Sequence, residues 1–269
     1  MRVRVLAIFA IAFALGSSAG DAQTAGLNGP QLFDQGMNAL MGSSVTRSDA
    51  NAMEYFHRSA ELGFAPAQVV LGYLFETGRA TPVNAREAFG WYKKAAQQDD
   101  PLAQWLAGRL IYAGSVPGRD LNEASAFFQG AADHGDAFGE YLLGKVKFDR
   151  QDYPSAAAWL GKAAQQGLPQ AQEQLAKLLR DGQGVAQDKF EAYVWMLVSN
   201  DGGNRRVAGD LQALEAELGT SQVEQAKTKA RELEQSVSRS VNAHGCTGWP
   251  GEFDVIPALP PPDLQRFCR

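Results

Sequence analysis

Cysteine and histidine are scarce in this chain. Its 269 residues include two cysteines, Cys246 and Cys268, and three histidines, His57, His134 and His244. Most of these residues lie far apart in sequence, whereas a structural zinc site needs four ligands at short, regular spacings. The composition therefore argues against a metal site, and we expect no metal ion.

Signatures of catalysis are also missing. No nucleophile elbow brings serine, histidine and aspartate together, and no pair of carboxylates is marked for acid and base chemistry. The glycine-rich turn Gly182-Gln183-Gly184 has neither the lysine nor the serine or threonine of a phosphate loop. We expect a non-catalytic protein without catalytic residues or a cofactor.

The apolar run at the amino terminus is too short to span a membrane. Val5 to Leu15 comprises 11 residues, whereas a spanning helix needs about 20. Arg2 and Arg4 precede the run and small residues follow it, which is the pattern of a secretory signal peptide over 1–22. We expect export across the inner membrane to the periplasm, with no stable membrane insertion after cleavage of the signal.

An excess of positive charge is absent too. The chain has 25 basic and 30 acidic residues, a net charge of −5. Phosphate backbones attract clusters of lysine and arginine. A nucleic-acid partner is therefore not expected.

The chain does contain a regular series of aromatic residues. Tyr55, Trp91, Phe127, Trp159 and Trp195 follow one another at intervals of 36, 36, 32 and 36, and an alanine lies three residues before each. A fixed period of this length is typical of a solenoid, whose units bury their apolar faces only by stacking on their neighbours. We predict that these aromatic side chains form the repeating core.

Each unit has the punctuation of a helical hairpin. A helix-capping residue type opens every unit, and glycine or alanine recurs inside the second helix. The caps are Ser48, Asn84, Asp120, Asp152 and Asp188, and the small residues are Gly72, Gly108, Gly144 and Ala176. The predicted units are 48–83, 84–119, 120–151, 152–187 and 188–223, which together form a repeat domain over 48–223.

Capping segments and a tail flank the repeats. We predict an amino-terminal capping helix within 23–47, a carboxyl-terminal capping helix over 224–242 and a proline-rich tail over 243–269. In an oxidising compartment, Cys246 and Cys268 are expected to form a disulfide within the tail, the alternatives being a bond to another chain or two free thiols. The tail could cover the groove or serve as a ligand itself, and the sequence leaves both open.

Two segments carry a resemblance to a known family. Trp91-Tyr92-Lys93-Lys94-Ala95-Ala96 and Ala158-Trp159-Leu160-Gly161-Lys162-Ala163-Ala164-Gln165-Gln166-Gly167 resemble the Sel-one-like repeat, a relative of the tetratricopeptide repeat. The resemblance extends over about 48–223. It implies an all-α fold, a right-handed α-solenoid of about five helix-turn-helix repeats with terminal capping helices. It also implies adaptor or regulatory roles, including roles in the bacterial cell envelope.

Variable polar residues on the first helix of each unit are the candidate partner-binding residues. A helical projection separates the core side from a polar side that includes Glu54, His57, Arg86, Lys93 and Gln129. The alternative is that these residues only solvate a helix face.

The sequence therefore predicts an exported scaffold, adaptor or regulator that binds a protein partner of the cell envelope through a superhelical groove. The alternative function is a periplasmic cell-wall glycan binder, or a hydrolase-type enzyme, with a site formed by the groove and the tail.

Overall fold

The computed structural model of the protein describes residues 26–42, 45–118 and 120–244, with the backbone alone for 238–244. The predicted signal peptide, the proline run and the Cys246–Cys268 disulfide lie outside the described residues. Within them, the chain forms twelve α-helices and one short 3-10 helix. The fold is all-α, as the sequence predicts.

The helices follow one another as antiparallel pairs joined by short turns. The second helices of the units, counted from the amino-terminal capping helix, are α1 (Gly29–Met41), α3 (Ala65–Thr77), α5 (Pro101–Tyr112), α7 (Ala137–Asp149) and α9 (Pro169–Asp181). The first helices are α2 (Asp49–Glu61), α4 (Ala85–Ala96), α6 (Leu121–Asp133), α8 (Tyr153–Gln165) and α10 (Lys189–Asp201). The 3-10 helix Arg205–Val207, α11 (Ala208–Glu217) and α12 (Thr220–His244) follow.

Side-chain caps fix the start of every first helix. All five predicted caps accept a backbone N–H from the first turn of their helix, at Ser48, Asn84, Asp120, Asp152 and Asp188. Such a bond satisfies donors that have no partner inside the helix. Two of the second helices, α3 and α9, end at Gly78 and Gly182. Both glycines adopt the left-handed conformation, with φ of 74° and 67°. Local sequence therefore determines where these helices begin and end.

The small residues inside the second helices let neighbouring helices approach. A Cβ atom built on Gly72 would lie 2.6 Å from the Tyr92 ring, and one on Gly108 would lie 2.6 Å from the Phe128 ring. The ring of the following first helix thus lies directly on the backbone of the second helix. The glycine cost within a helix is about 1 kcal/mol, and the close packing offsets it here.

The fully buried column of the first helices is one residue later than the predicted aromatic series. Phe56, Tyr92 and Phe128 are 0% exposed, Leu160 is 1% exposed and Met196 is 0% exposed. In the predicted series, Trp91 and Trp195 are buried, but Tyr55, Phe127 and Trp159 are only half-buried. The prediction is therefore wrong by one helical position for these three side chains, which lie at the border between core and solvent.

Helices also cover the two ends of the array. At the amino end, Asn28 and Gln31 form a reciprocal capping box on α1, which packs on α2. At the carboxyl end, α12 packs on α10 and buries Val223, Ala226 and Ala230. No helix among the described residues combines the length and apolar character needed to cross a bilayer.

The second helices lie on the inner side of the stack. The backbones of α1 and α3, and those of α5 and α7, come close together at several positions, whereas no two first helices in the described ranges approach each other as extensively. In a curved array, the elements on the inner side have the shorter spacing. The inner surface is therefore formed by the second helices, and the outer surface by the first helices.

Candidate partner-binding face

The residue that follows each small residue of the second helices points to the inner side. Gly72, Gly108, Gly144 and Ala176 face the next first helix, and one helical step is about 100°. The following positions are Tyr73, Arg109, Lys145 and Lys177, all of them half-buried. We name Arg109, Lys145 and Lys177 the inner cation column.

Aromatic side chains lie one turn before two of these cations. The Arg109 guanidinium is 6.0 Å from the centroid of the Trp105 ring, and the Lys145 ammonium is 6.0 Å from that of Tyr141. Trp105 in turn stacks on Phe138 of the next unit, with 5.1 Å between the ring centroids. Trp, Tyr and Arg are the residue types enriched at binding hot spots.

Two of the three cations are neutralised within the protein. Arg109 Nη2 lies 2.5 Å from Glu76 Oε1, and Lys177 Nζ lies 2.5 Å from Glu173 Oε1. The Tyr92 hydroxyl also donates a hydrogen bond to Glu76 Oε2 at 2.9 Å, so two donors fix the position of the Glu76 carboxylate. These pairs fix the geometry of the inner face and leave little free charge at either position.

Lys145, in contrast, has no carboxylate oxygen within 4.0 Å among the described residues. Tyr112 occupies the position that is equivalent to Glu76, 36 residues further along the chain. The Tyr112 hydroxyl donates to Asp149 Oδ2 at 2.5 Å. The middle cation of the column therefore has no carboxylate partner within this distance, and it lies beside the Tyr141 ring.

A polar network closes the carboxyl end of this face. Asn204 donates to Glu173 Oε2 at 2.7 Å, and Arg180 Nη1 donates to Asp210 Oδ1 at 2.8 Å. Burial, together with the nearby Glu173 carboxylate, raises the pKa of Tyr141 to about 12. Tyr141 therefore stays a neutral hydroxyl at the border of the network.

The predicted site residues lie on the outer side, on three first helices. Glu54 and Arg86 are exposed. His57 Nδ1 lies 3.4 Å from Glu61, and its ring is 5.5 Å from Trp91 of the next unit. Lys93 is 3.5 Å from Glu123 of the next first helix, and Gln129 donates to Asp133 at 2.7 Å. Their role in binding stays a prediction.

Sequence reasoning missed the inner cation column, although a signal for it was present. Each cation directly follows the recurrent small residue, at 109, 145 and 177. The position is visible as soon as the glycine column is aligned. What the sequence does not show is which side of the helix pair faces inward, because that depends on the spacing of backbones between units.

Within the described ranges, no group of three or more His, Cys, Asp or Glu side chains is placed to hold a metal ion. Three residues of metal-binding type fall outside this statement, because Cys246 and Cys268 lie outside these ranges and only the backbone of His244 is described.

Comparison with known proteins identifies the repeat type. The profile of the Sel1 repeat matches five consecutive segments, 36–64, 65–100, 101–136, 139–168 and 169–204. Each match pairs a second helix with the following first helix, which is the pair held by the glycine contacts.

Individual proteins are similar to parts or most of the chain. A 56-residue segment is 39% identical to a chitin synthase regulator SKT5 of Malassezia restricta; it is 21% of this chain and covers only 4% of that relative. A Sel1 repeat protein from Oxalobacter formigenes superposes with a TM-score of 0.63 at 25% identity, over 76% of this chain and 88% of that one. A protective antigen of uropathogenic Escherichia coli strains, c5321, gives a TM-score of 0.43 at 18% identity, over 90% of this chain and 66% of that one.

Proposed function

Because the chain belongs to the Sel1 repeat family, whose arrays form protein-interaction scaffolds, we propose that it is a non-catalytic scaffold or adaptor that binds a segment of a partner protein along its inner face. The observation that carries this proposal is the inner cation column with its flanking Trp105 and Tyr141. In this proposal, the second helices curve around the bound segment as a right-handed superhelix.

The chemistry of the inner face supports a protein ligand. The half-buried Tyr141 ring supplies apolar contact area at low entropic cost, the buried Trp105 supports the face from below, and the adjacent cations supply orientation. The ion pairs Arg109–Glu76 and Lys177–Glu173 hold these groups before any partner arrives. A preorganised face loses less conformational entropy on binding than a flexible one does.

The cell envelope is the proposed location. The supporting observation is the amino-terminal pattern of Arg2, Arg4 and the apolar run 5–15. Amino-terminal sequencing of the protein recovered from a periplasmic extract would locate the cleavage site. Recovery of the uncleaved chain from the cytosol alone would contradict export.

Crosslinking in intact cells followed by mass spectrometry tests the binding face. Lys145→Glu should remove the crosslinked partner, because it reverses the charge at the centre of the inner face. Lys93→Glu on the outer side is the matched control and should leave the partner in place. The opposite result would move the binding surface to the first helices and the predicted residues there. Recovery of glycan strands without any protein would count against a protein scaffold.

A further inference from the structure

We propose that Lys145 and the adjoining Tyr141 ring form a subsite for the carboxylate of an acidic side chain, so that the partner is an acidic segment in extended conformation. This inference rests on the proposed function and specifies the partner's chemistry.

The first argument is the charge left over on the inner face. Of the three cations in the column, Arg109 and Lys177 each have a carboxylate at 2.5 Å. Lys145 has none within 4.0 Å in the described part of the chain. A partner carboxylate at this position would complete a series of three ion pairs, one in each of three consecutive units.

The second argument concerns what replaces the missing acid. Glu76 neutralises Arg109, and the equivalent residue before Lys145 is Tyr112, a phenol in place of a carboxylic acid. Its hydroxyl is held by Asp149 Oδ2 at 2.5 Å. The acid that pairs with the cation in the preceding unit is therefore absent from its repeat position, and the Tyr112 hydroxyl there is already hydrogen-bonded to Asp149.

The third argument is the surroundings of the Lys145 ammonium. The Tyr141 ring centroid is 6.0 Å away, and Lys145 and Tyr141 are both half-buried. A partly desolvated cation beside an aromatic face attracts a carboxylate more strongly than a fully hydrated lysine does. Lys162 also lies over an aromatic ring, with its ammonium 3.9 Å from the Trp159 ring centroid, but it belongs to the first helix α8 on the outer side. It therefore serves as the control.

The extended conformation follows from the repeat geometry. Equivalent inner positions recur once per helix pair along the array. An extended chain advances about 3.3 Å per residue, so side chains a few residues apart contact such positions in turn. A compact folded surface would meet several units at once only over a much larger area.

The test uses the full chain and a phage-displayed library of random 12-residue peptides. We expect the enriched peptides to contain Asp or Glu. A synthetic, amidated copy of the best peptide should bind at least tenfold more weakly when its acids are replaced by Asn or Gln. Lys145→Met, which keeps the aliphatic stem, should weaken binding by a similar factor, whereas Lys162→Met should not. Amidation removes the terminal carboxylate as a source of the effect.

Amide exchange of the peptide complex separates the two proposals. Peptides without acidic residues that still protect α5 and α7 would overturn the acidic subsite and leave the inner face as the binding surface. Protection of α4 and α6 instead, or the absence of any binding peptide, would contradict both. Unchanged circular dichroism and melting of Lys145→Met would show that its loss of binding is not a loss of folding.

Discussion

Glycine has two distinct roles in these helices, and single substitutions separate them. Gly108 in α5 lies under the Phe128 ring, and a Cβ atom there would be 2.6 Å from Cε1 of that ring. Gly108→Ala should lower the free energy of unfolding by about 1 to 3 kcal/mol, because the two helices must move apart. Urea denaturation followed by circular dichroism measures this change.

Gly90 in α4 is the matched control. It is exposed, and a Cβ atom there would meet no atom within 4 Å. Gly90→Ala should therefore raise the free energy of unfolding by about 0.5 to 1 kcal/mol, through helix propensity alone. Equal effects of the two substitutions would show that the glycine column is not a packing device.

Asp136 is the residue from which we expect a pH effect. Its carboxylate caps α7 by accepting the Gly139 N–H at 2.8 Å. Burial, with smaller contributions from Glu140 and Asp100, raises its pKa from 3.8 to about 6. The folded state thus holds this proton more tightly than the unfolded chain does. The contribution of Asp136 to stability should therefore fall as the pH rises from about 4 to about 6 and stay constant above.

Asp136→Asn removes this charge and keeps the cap, since asparagine caps as well as aspartate. Above pH 6 the variant should be more stable than the parent by about 1 to 3 kcal/mol, and the two should converge below pH 4. Asp120→Asn at an exposed cap is the comparison and should show a much smaller difference. A constant offset at all pH values would rule out titration of Asp136 as the cause.

The buried column shows why residue detail could be predicted only to within one position. In three units both candidates are aromatic, Tyr55-Phe56, Trp91-Tyr92 and Phe127-Phe128. Adjacent residues differ by about 100° around a helix, and a wide apolar stripe holds both. Packing on the glycine then selects the second residue, and this selection depends on the neighbouring helix.

At the scale of the elements, caps and glycines made the helices predictable from the sequence. The five caps begin the first helices where expected, and Gly78 and Gly182 end two second helices. The shortened third unit also fits, since α7 ends at Asp149 and α8 begins at Tyr153. These features are local, so no knowledge of tertiary contacts was needed.

The docking of α12 gives a prediction for a whole element. Ala226 is 0% exposed, and α12 packs against α10, where Val194 is also fully buried. The equivalents of Val194 in the other units, Glu54, Gly90, Ala126 and Ala158, are exposed. Ala226→Glu should undock α12, because an unpaired charge would be buried. Hydrogen exchange should accelerate in α10 and α12 while remaining slow in α3 to α6.

Gln225→Glu, at an exposed position of α12, provides the control for added charge. It should leave the exchange of α10 unchanged. Acceleration throughout the array after Ala226→Glu would mean that α12 is part of one cooperative unit and not a detachable cap.

At the scale of the molecule, the stacking of units predicts local rather than global responses. Phe128 is 0% exposed and joins α6 to α5 through Gly108. Phe128→Ala should cost about 3 to 5 kcal/mol at this interface. In a linear array the loss stays with nearest neighbours. Exchange mass spectrometry should therefore show faster exchange in α5 to α8 than in α1 and α2.

A uniform acceleration from α1 to α12 would contradict this expectation and indicate two-state unfolding of the whole array. Leu102→Ala creates a cavity at another buried position of α5. It tests whether the faster exchange then extends over the same helices.

The inner face was the part of the site that the sequence could not locate. The number of units follows from the period, and their helical character follows from the caps and small residues and from the family resemblance. The side that faces inward depends on the distances between α1 and α3 and between α5 and α7, which are properties of stacked backbones. Arg109, Lys145 and Lys177 therefore become recognisable as one surface only in three dimensions.

The glycine that holds two helices together and the side chain that faces a partner are consecutive residues in the chain, as at Gly108-Arg109 and Gly144-Lys145. The first is constrained by packing, and the second points away from that contact. A duplicated unit therefore keeps the glycine contact between its helices, while the residue that follows the glycine can vary. Substitutions at these residues can change the preference for a partner in one unit at a time, with little loss of stability. This holds for natural evolution and for protein engineering alike.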